Sequence, residues 1–263
     1  MKPNYKNWIP KGMVCGAAAG SVVFLALTLV IGLTGLISNN TWKVVLTILF
    51  AADTLVFAVA TLWMLLMYRA FSYNGRRQMS RHIIDGVASY VTLPLGGRGL
   101  DVGCGSGALT IAVAKRNLQA SMTGIDRWGL EYSSYSQQLC EDNARAEGVT
   151  NVDFAKGDAL RLDFADETFD AVTSNYVYHN IPSRDRQAIL METLRVLKRG
   201  GIFAIHDIFS RQKYGDMQAF VKKLKDLGYE QVELIPTDKS RFMSAWEARW
   251  MALGGSAILV GKK

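Results

Sequence analysis

Acidic residues are almost missing from the first third of this 263-residue chain: Asp53 is the sole acid before position 83, against eight basic side chains. Beyond that point basic and acidic residues balance at 22 each, so the formal net charge of +7 belongs entirely to the N-terminal third. A domain with no charge excess of its own argues against nucleic acid as a partner. Cysteine is scarce too: Cys15, Cys104 and Cys140 are odd in number and far apart, giving no disulfide framework, no metal-ligand spacing and no sign of an oxidising compartment. The three histidines are equally scattered, so no metal is expected. Internal repeats and low-complexity segments are absent.

Charge is also missing from two long runs. Residues 14–37 carry none and residues 44–68 carry only Asp53; each run exceeds the roughly 20 residues that a helix needs to cross a bilayer core. Together they predict a transmembrane hairpin, joined by the short polar connector Ser38-Asn39-Asn40-Thr41-Trp42-Lys43. A cleaved signal peptide fits less well, because its apolar region is usually only about 7 to 15 residues and here a second span follows at once. Lys2, Lys6 and Lys11 precede the first run and Arg69, Arg76, Arg77 and Arg81 follow the second, with Lys43 alone between them. The positive-inside rule then expects both termini, and everything after the hairpin, on the cytoplasmic side of the membrane. The arginine-rich stretch, with Phe71 and Tyr73 among its cations, suits anionic lipid head groups, and a plain stop-transfer flank is its minimal reading. Asp53 is costly in such a span, and a bond to Ser21, Thr28 or Thr34 is expected to hold it. Gly16, Gly20, Gly32 and Gly35 allow close helix approach, within the hairpin or between copies in a homo-oligomer.

The expected organisation is a membrane anchor over 1–72, a juxtamembrane segment and first domain helix over 73–97, and an α/β domain over 98–263. From Arg98 onward short apolar runs alternate with longer amphipathic ones, the pattern of a parallel sheet covered on both faces. Strands are expected near 99–102, 121–125, 152–156, 169–174, 201–207, 231–235 and 257–260. Helices are expected near 107–116, 132–147, 183–198 and 216–227. The fold class is thus a Rossmann-like, seven-stranded, doubly wound sheet preceded by two transmembrane helices.

Between the first strand and the helix after it lies Asp101-Val102-Gly103-Cys104-Gly105-Ser106-Gly107. Glycines at 103, 105 and 107 permit a tight turn and close approach of a ligand to the backbone. The spacing is G-x-G-x-G, not the G-x-G-x-x-G of dinucleotide sites, and Asp101 would oppose a pyrophosphate while suiting an ammonium and a sulfonium. An oxidoreductase using a nicotinamide cofactor is disfavoured on both counts. The block Leu100 to Gly107 resembles motif I of the class I S-adenosylmethionine (SAM)-dependent methyltransferases. Thr123-Gly124-Ile125-Asp126 resembles the end of their second strand, Gly157-Asp158-Ala159 their adenine-side motif, Phe169 to Asn175 their motif IV, and Leu194 to Gly201 the turn into strand five, with Arg199 where the family commonly has Pro. The likeness covers about residues 83 to 210 and is strongest to the small-molecule branch that includes ubiquinone and menaquinone C-methyltransferases.

That resemblance implies a seventh strand inserted antiparallel, SAM as methyl donor with S-adenosylhomocysteine (SAH) as product, and Asp126 on the ribose hydroxyls. It also implies Asp158 and the amide of Ala159 on adenine, and Gly103, Cys104, Gly105, Gly107, Arg127 and Asn175 around the cofactor, with Trp128 against the base or in the core. Each acid has a plain alternative: Asp101 bonding loop amides, Asp126 capping the next helix, Asp158 serving its own turn. His179, in the segment after strand four, is the candidate general base, since its ordinary pKa near 6.5 suits proton uptake in the cytoplasm. Tyr176, Tyr178 and His206 are candidate acceptor contacts, with a hydrogen-bonded strand-end pair as the other reading of His206 and Asp207. Tyr73 is a candidate lid residue. Trp246 and Trp250 share one face if helical, against lipid, acceptor or the sheet. A tether is best explained by an acceptor that partitions into the membrane, such as a quinone, an isoprenoid or another lipid. The rival readings are a methyltransferase acting on a soluble acceptor and a SAM-binding sensor or scaffold without catalysis.

Overall fold

The computed structural model describes residues 2–129 and 134–263. Two compact units emerge: one is Asn7–Ser80, and the other joins the segment up to Lys6 with Arg81–Lys263. In the first unit, α1 (Lys11–Leu33) and α2 (Asn40–Phe71) are both long and apolar enough to cross a membrane. They pack against each other around Gly20, where a Cβ would lie 2.5 Å from the Phe57 ring. Phe24 of α1 sits between Phe50 and Phe57, with ring centroids 6.1 and 5.2 Å away.

The helix ends differ from the sequence expectation. Asn39 caps α2 by accepting from the Trp42 amide at 3.1 Å, which draws Thr41, Trp42 and Lys43 out of the connector into the first helical turn. Thr28 and Thr34 are not partners of Asp53, because their hydroxyls donate to the carbonyls of Phe24 and Val30, one turn back on their own helix. Among the described residues, Asp53 has no hydrogen-bond or ion-pair partner.

The larger unit opens with residues 2–6 and, from Arg81, the greater part of α3 (Met79–Ala88), and continues as a seven-stranded sheet. In chain order its elements are β1 (Arg98–Val102), α4 (Ala108–Arg116), β2 (Ser121–Asp126), α5 (Gln137–Ala146), β3 (Val152–Lys156), β4 (Phe169–Asn175), α6 (Arg186–Arg195), β5 (Leu197–Ile208), α7 (Arg211–Tyr214), α8 (Met217–Asp226), β6 (Glu230–Pro236), α9 (Ala245–Trp250) and β7 (Ser256–Lys262). The strands lie in the order β3-β2-β1-β4-β5-β7-β6, with β7 antiparallel to both neighbours and the rest of the order running parallel. Each expected strand and helix of this unit is present, with shifted ends. The helix expected from Tyr132 has its start outside the described residues and is seen from Gln137, where the Ser136 hydroxyl caps it. β5 begins at Leu197 because Leu197 pairs with Phe169 ahead of a register shift, which stops α6 at Arg195.

The order of the sheet reverses between β1 and β4, and doubly wound folds open their cleft at such a point, outside the carboxyl ends of the strands. Both strands are buried, and the Ser174 hydroxyl donates to the Val102 carbonyl at 2.8 Å, fastening β4 to β1 beside that edge. At the opposite edge Asn117 closes the domain. Its side chain accepts from the Leu93 amide at 2.7 Å and donates to the carbonyls of Val91 and Val113 at 3.3 and 2.8 Å. Asn117→Ala would leave these buried groups unpaired, and we expect it to lower unfolding stability by about 2 to 3 kcal/mol in denaturant titrations while leaving the denaturant slope unchanged.

Candidate active site

The turn after β1 has its shape imposed by glycine. Gly103, Gly105 and Gly107 have φ of 75°, 56° and 79°, the left-handed region where a side chain is strained. The space around them differs from one to the next. A Cβ at Gly103 would come within 2.4 Å of Val177, and one at Gly107 within 3.0 Å of Phe154, so those two are packed from behind. At Gly105 the closest atoms among the described residues, of Tyr135, are 4.0 Å away, which leaves a face that suits a ligand lying against the backbone. Because Val177 follows β4, the same packing draws the two crossover loops of the switch point together.

Asp101, at the end of β1, is bonded to two hydroxyls. Its carboxyl is 1% exposed and accepts from the hydroxyls of Thr110 at 2.7 Å and Thr173 at 2.9 Å, so it ties β1 to α4 and to β4 beside the turn. Strand register explains this, since Asp101 lies beside Thr173 of β4 and Gly124 of β2, and Thr110 sits in the first turn of α4. Burial raises its pKa to about 6, against the lowering effect of the two hydroxyls. Asp126 joins β2 to the turn: Oδ2 accepts from the Gly105 amide at 2.9 Å and Oδ1 from the Trp128 amide at 2.8 Å. A carboxylate has about four acceptor positions, so it keeps capacity for the hydroxyls of a ribose. The Trp128 indole donates to the Gly105 carbonyl at 3.0 Å. Asp158 Oδ1 accepts from the Leu160 amide at 2.9 Å as a turn residue, and Oδ2 has no partner among the described residues. Cys104 is buried, Arg127 is exposed, and Ala159 and Asn175 are half-buried.

After β4 the chain makes a strained turn at Tyr176, with φ 56°, and then a 3-10 turn over Tyr178–Asn180. His179 is held at two points. Its Nδ1 lies 2.5 Å from Asp207 Oδ1, and its backbone amide donates to Asp207 Oδ2 at 3.2 Å. Asp207 is fully buried at the end of β5, whereas the His179 side chain keeps 14% exposure. With a carboxylate on Nδ1, the proton sits there and the Nε2 lone pair is free to accept another.

Two other sequence candidates belong to the core instead of the acceptor side. Tyr178 is fully buried, and its hydroxyl bonds Thr193 at 2.8 Å, because the 3-10 turn directs the ring toward α6. His206 is also fully buried, its Nδ1 bonded to Asn175 Oδ1 and its Nε2 to Thr237 Oγ1, both at 2.8 Å. Burial lowers its pKa to about 3, so it stays neutral and acts as a strut. The expected His206–Asp207 pair is therefore divided, each residue having its own partner. Tyr176 packs its ring 4.6 Å from His206 and 6.0 Å from His179 and bonds Ser256 through its hydroxyl at 2.7 Å. Tyr73 lies in the turn after α2, in the helical unit. Trp246 and Trp250 do share one face of α9, their tilted rings 5.5 Å apart, with Trp246 70% exposed. Among the described residues no cluster of potential metal ligands occurs.

With this geometry in place, likeness to known proteins becomes informative. Residues 100–201 match a family described as a methyltransferase domain. Demethylmenaquinone methyltransferase of Bacillus subtilis (strain 168) is 32% identical over 130 residues, 49% of this chain and 53% of that protein. A sterol 24-C-methyltransferase of Gibberella zeae is 32% identical over 133 residues, 50% of this chain and 32% of that protein. The chain thus spans about half or less of the length of these relatives. Among solved structures, the 4+2 cyclase SpnF superposes with a TM-score of 0.54 at 23% identity, covering 73% of this chain and 85% of that one, which establishes the fold alone. Sheet order, glycine turn and the methyltransferase match together define a class I Rossmann-like methyltransferase fold. Over residues 100–201 the chain is similar to methyltransferase domains, the demethylmenaquinone and sterol methyltransferases among them.

A carboxyl whose pKa is raised on folding binds its proton more tightly in the native state, so native stability falls as pH climbs from about 4, the unfolded value, through about 6. Asp101→Asn removes this dependence. Thermal unfolding between pH 4 and 7 is expected to show the variant gaining on the native chain by up to about 3 kcal/mol across that window, whereas a constant difference would contradict it.

Proposed function

We propose that this protein is a membrane-anchored methyltransferase that moves a methyl group from SAM to a small lipophilic acceptor, such as a quinone, an isoprenoid or another lipid, at the cytoplasmic face. The observation that carries the chemistry is the His179–Asp207 pair placed across the switch point from Gly105. SAM supplies an electrophilic methyl group on a sulfonium. The chain's part is to align an acceptor atom with that carbon, exclude water and take up the acceptor's proton. His179 Nε2 is the base in this scheme, and Asp207, held through Nδ1, fixes the tautomer and balances the imidazolium that forms.

Several observations support the membrane assignment. The two N-terminal helices have the length and apolarity for spanning, and the basic residues flank them on one side. Residues 2–6 and Arg81–Lys263 share a compact unit, so the chain leaves that unit before α1 and returns to it after α2. Both ends of the hairpin then emerge on the same side of the bilayer. The two relatives, a demethylmenaquinone and a sterol methyltransferase by name, support an apolar acceptor. We assign the Gly103–Gly107 turn, Asp126, Asp158, Ala159 and Asn175 to the cofactor, His179 to catalysis and Tyr176 to the acceptor side.

Membranes incubated with methyl-labelled SAM and the full chain are expected to yield a labelled product in the organic phase. His179→Ala should lower kcat about 10²- to 10⁴-fold with little change in the KM for SAM. Label found only in the aqueous phase would point to a soluble acceptor, and label in neither phase, with SAM bound tightly, to a sensor.

A further inference from the structure

We propose that residues 2–6, the segment ahead of the first apolar helix, form a positioning clasp for the cofactor turn, so that affinity for SAM depends on them. The inference rests on the assignment of Gly103–Gly107 as the SAM cradle and adds a dependence that neither the glycine motif nor the membrane spans imply. Two carbonyls of the turn are held from α5, on one helical face: Cys140 Sγ donates to the Gly105 carbonyl at 3.2 Å, and Asn143 Nδ2 to the Ser106 carbonyl at 3.0 Å. Asn143 is 2% exposed, and its other bonding capacity goes to the N-terminal segment. Its Oδ1 accepts from the Asn4 amide at 2.6 Å, and Nδ2 also donates to the Asn4 carbonyl at 3.2 Å.

One helical turn further along, Glu147 Oε1 accepts from the hydroxyl of Tyr5, a ring only 5% exposed. Oε2 of the same carboxylate meets Lys115 Nζ at 2.5 Å, in the last turn of the helix that begins just after Gly107. Residues 2–6 therefore fix the amide plane of Asn143 and brace Glu147, whose other oxygen ties α5 to α4 through Lys115, the two helices that flank the cradle. Without them Asn143 loses two of its three bonds and is free to rotate away from Ser106. The turn then has to be ordered by the ligand, at the ligand's expense in affinity.

The test measures SAH binding to the full chain in detergent micelles, native and lacking residues 2–6, each with and without Asn143→Ala. The deletion and Asn143→Ala are each expected to weaken binding about tenfold. The two together should be no weaker than Asn143→Ala alone, because the clasp acts through that side chain. A change of less than about twofold on deletion, or effects that multiply, would overturn the proposal. If the shortened chain folds poorly, Asn4→Pro, which removes the amide that donates to Asn143 Oδ1, decides by SAH affinity: weaker binding is expected, and unchanged binding overturns the clasp. Failure of the native chain to bind SAH would instead remove the cradle assignment itself.

Discussion

The arrangement depends on a backbone constraint: between β1 and α4 the chain must turn through three left-handed residues, and the space beside two of them is already filled. Only glycine meets that demand cheaply. The constraint spreads outward from there. Val177 occupies the space that Gly103 lacks, which brings the loop after β4 against the turn, and that loop carries His179. Phe154 of β3 fills the space beside Gly107 and Gly124, so β3, β2 and β1 close up behind the turn. The remaining face, at Gly105, is where a ligand can reach the backbone.

Electrostatics is arranged around the same turn in two layers. Asp101 lies beside it, buried and bonded to hydroxyls, with its ionisation held close to neutrality by the cost of removing a charge from water. Asp126 and Asp158 are less buried and use part of their capacity on backbone amides, so each carboxylate is held before any ligand arrives. The histidines show how burial decides role. His206, sealed under Tyr176 and Phe242, is kept neutral and structural, whereas His179 one strand away retains access to solvent and a buried carboxylate on Nδ1.

Much of this was legible in the sequence because it depends on local pattern. The alternation after Arg98 gave the sheet, the G-x-G-x-G turn gave the loop between β1 and α4, and the two nearly charge-free runs gave the helices. What was hidden depends on contacts between distant segments. Thr173 meets Asp101 only through strand register, 72 residues away, a partner that no local pattern announces. Tyr178 and His206 look like neighbours of His179 in sequence or at the same sheet edge, yet a 3-10 turn and a strand pleat send both inward. The N-terminal residues bond to α5 across a separation of 139 positions, with no composition or spacing signal to announce it. A hint was present in Asn143, a polar residue on the buried face of an amphipathic helix, where unpaired amides are costly.

Fold neighbours at low identity leave chemistry open, since function resides in the site and not in the sheet that carries it. The central claim is accordingly the one about ligand: that the glycine turn at the β1–β4 switch point receives a sulfonium nucleoside and not a dinucleotide. Calorimetric titration of the purified full chain with SAH and, separately, with NADH tests it most directly. The account predicts one SAH bound per chain and no heat of binding with NADH; binding of NADH without SAH would contradict it.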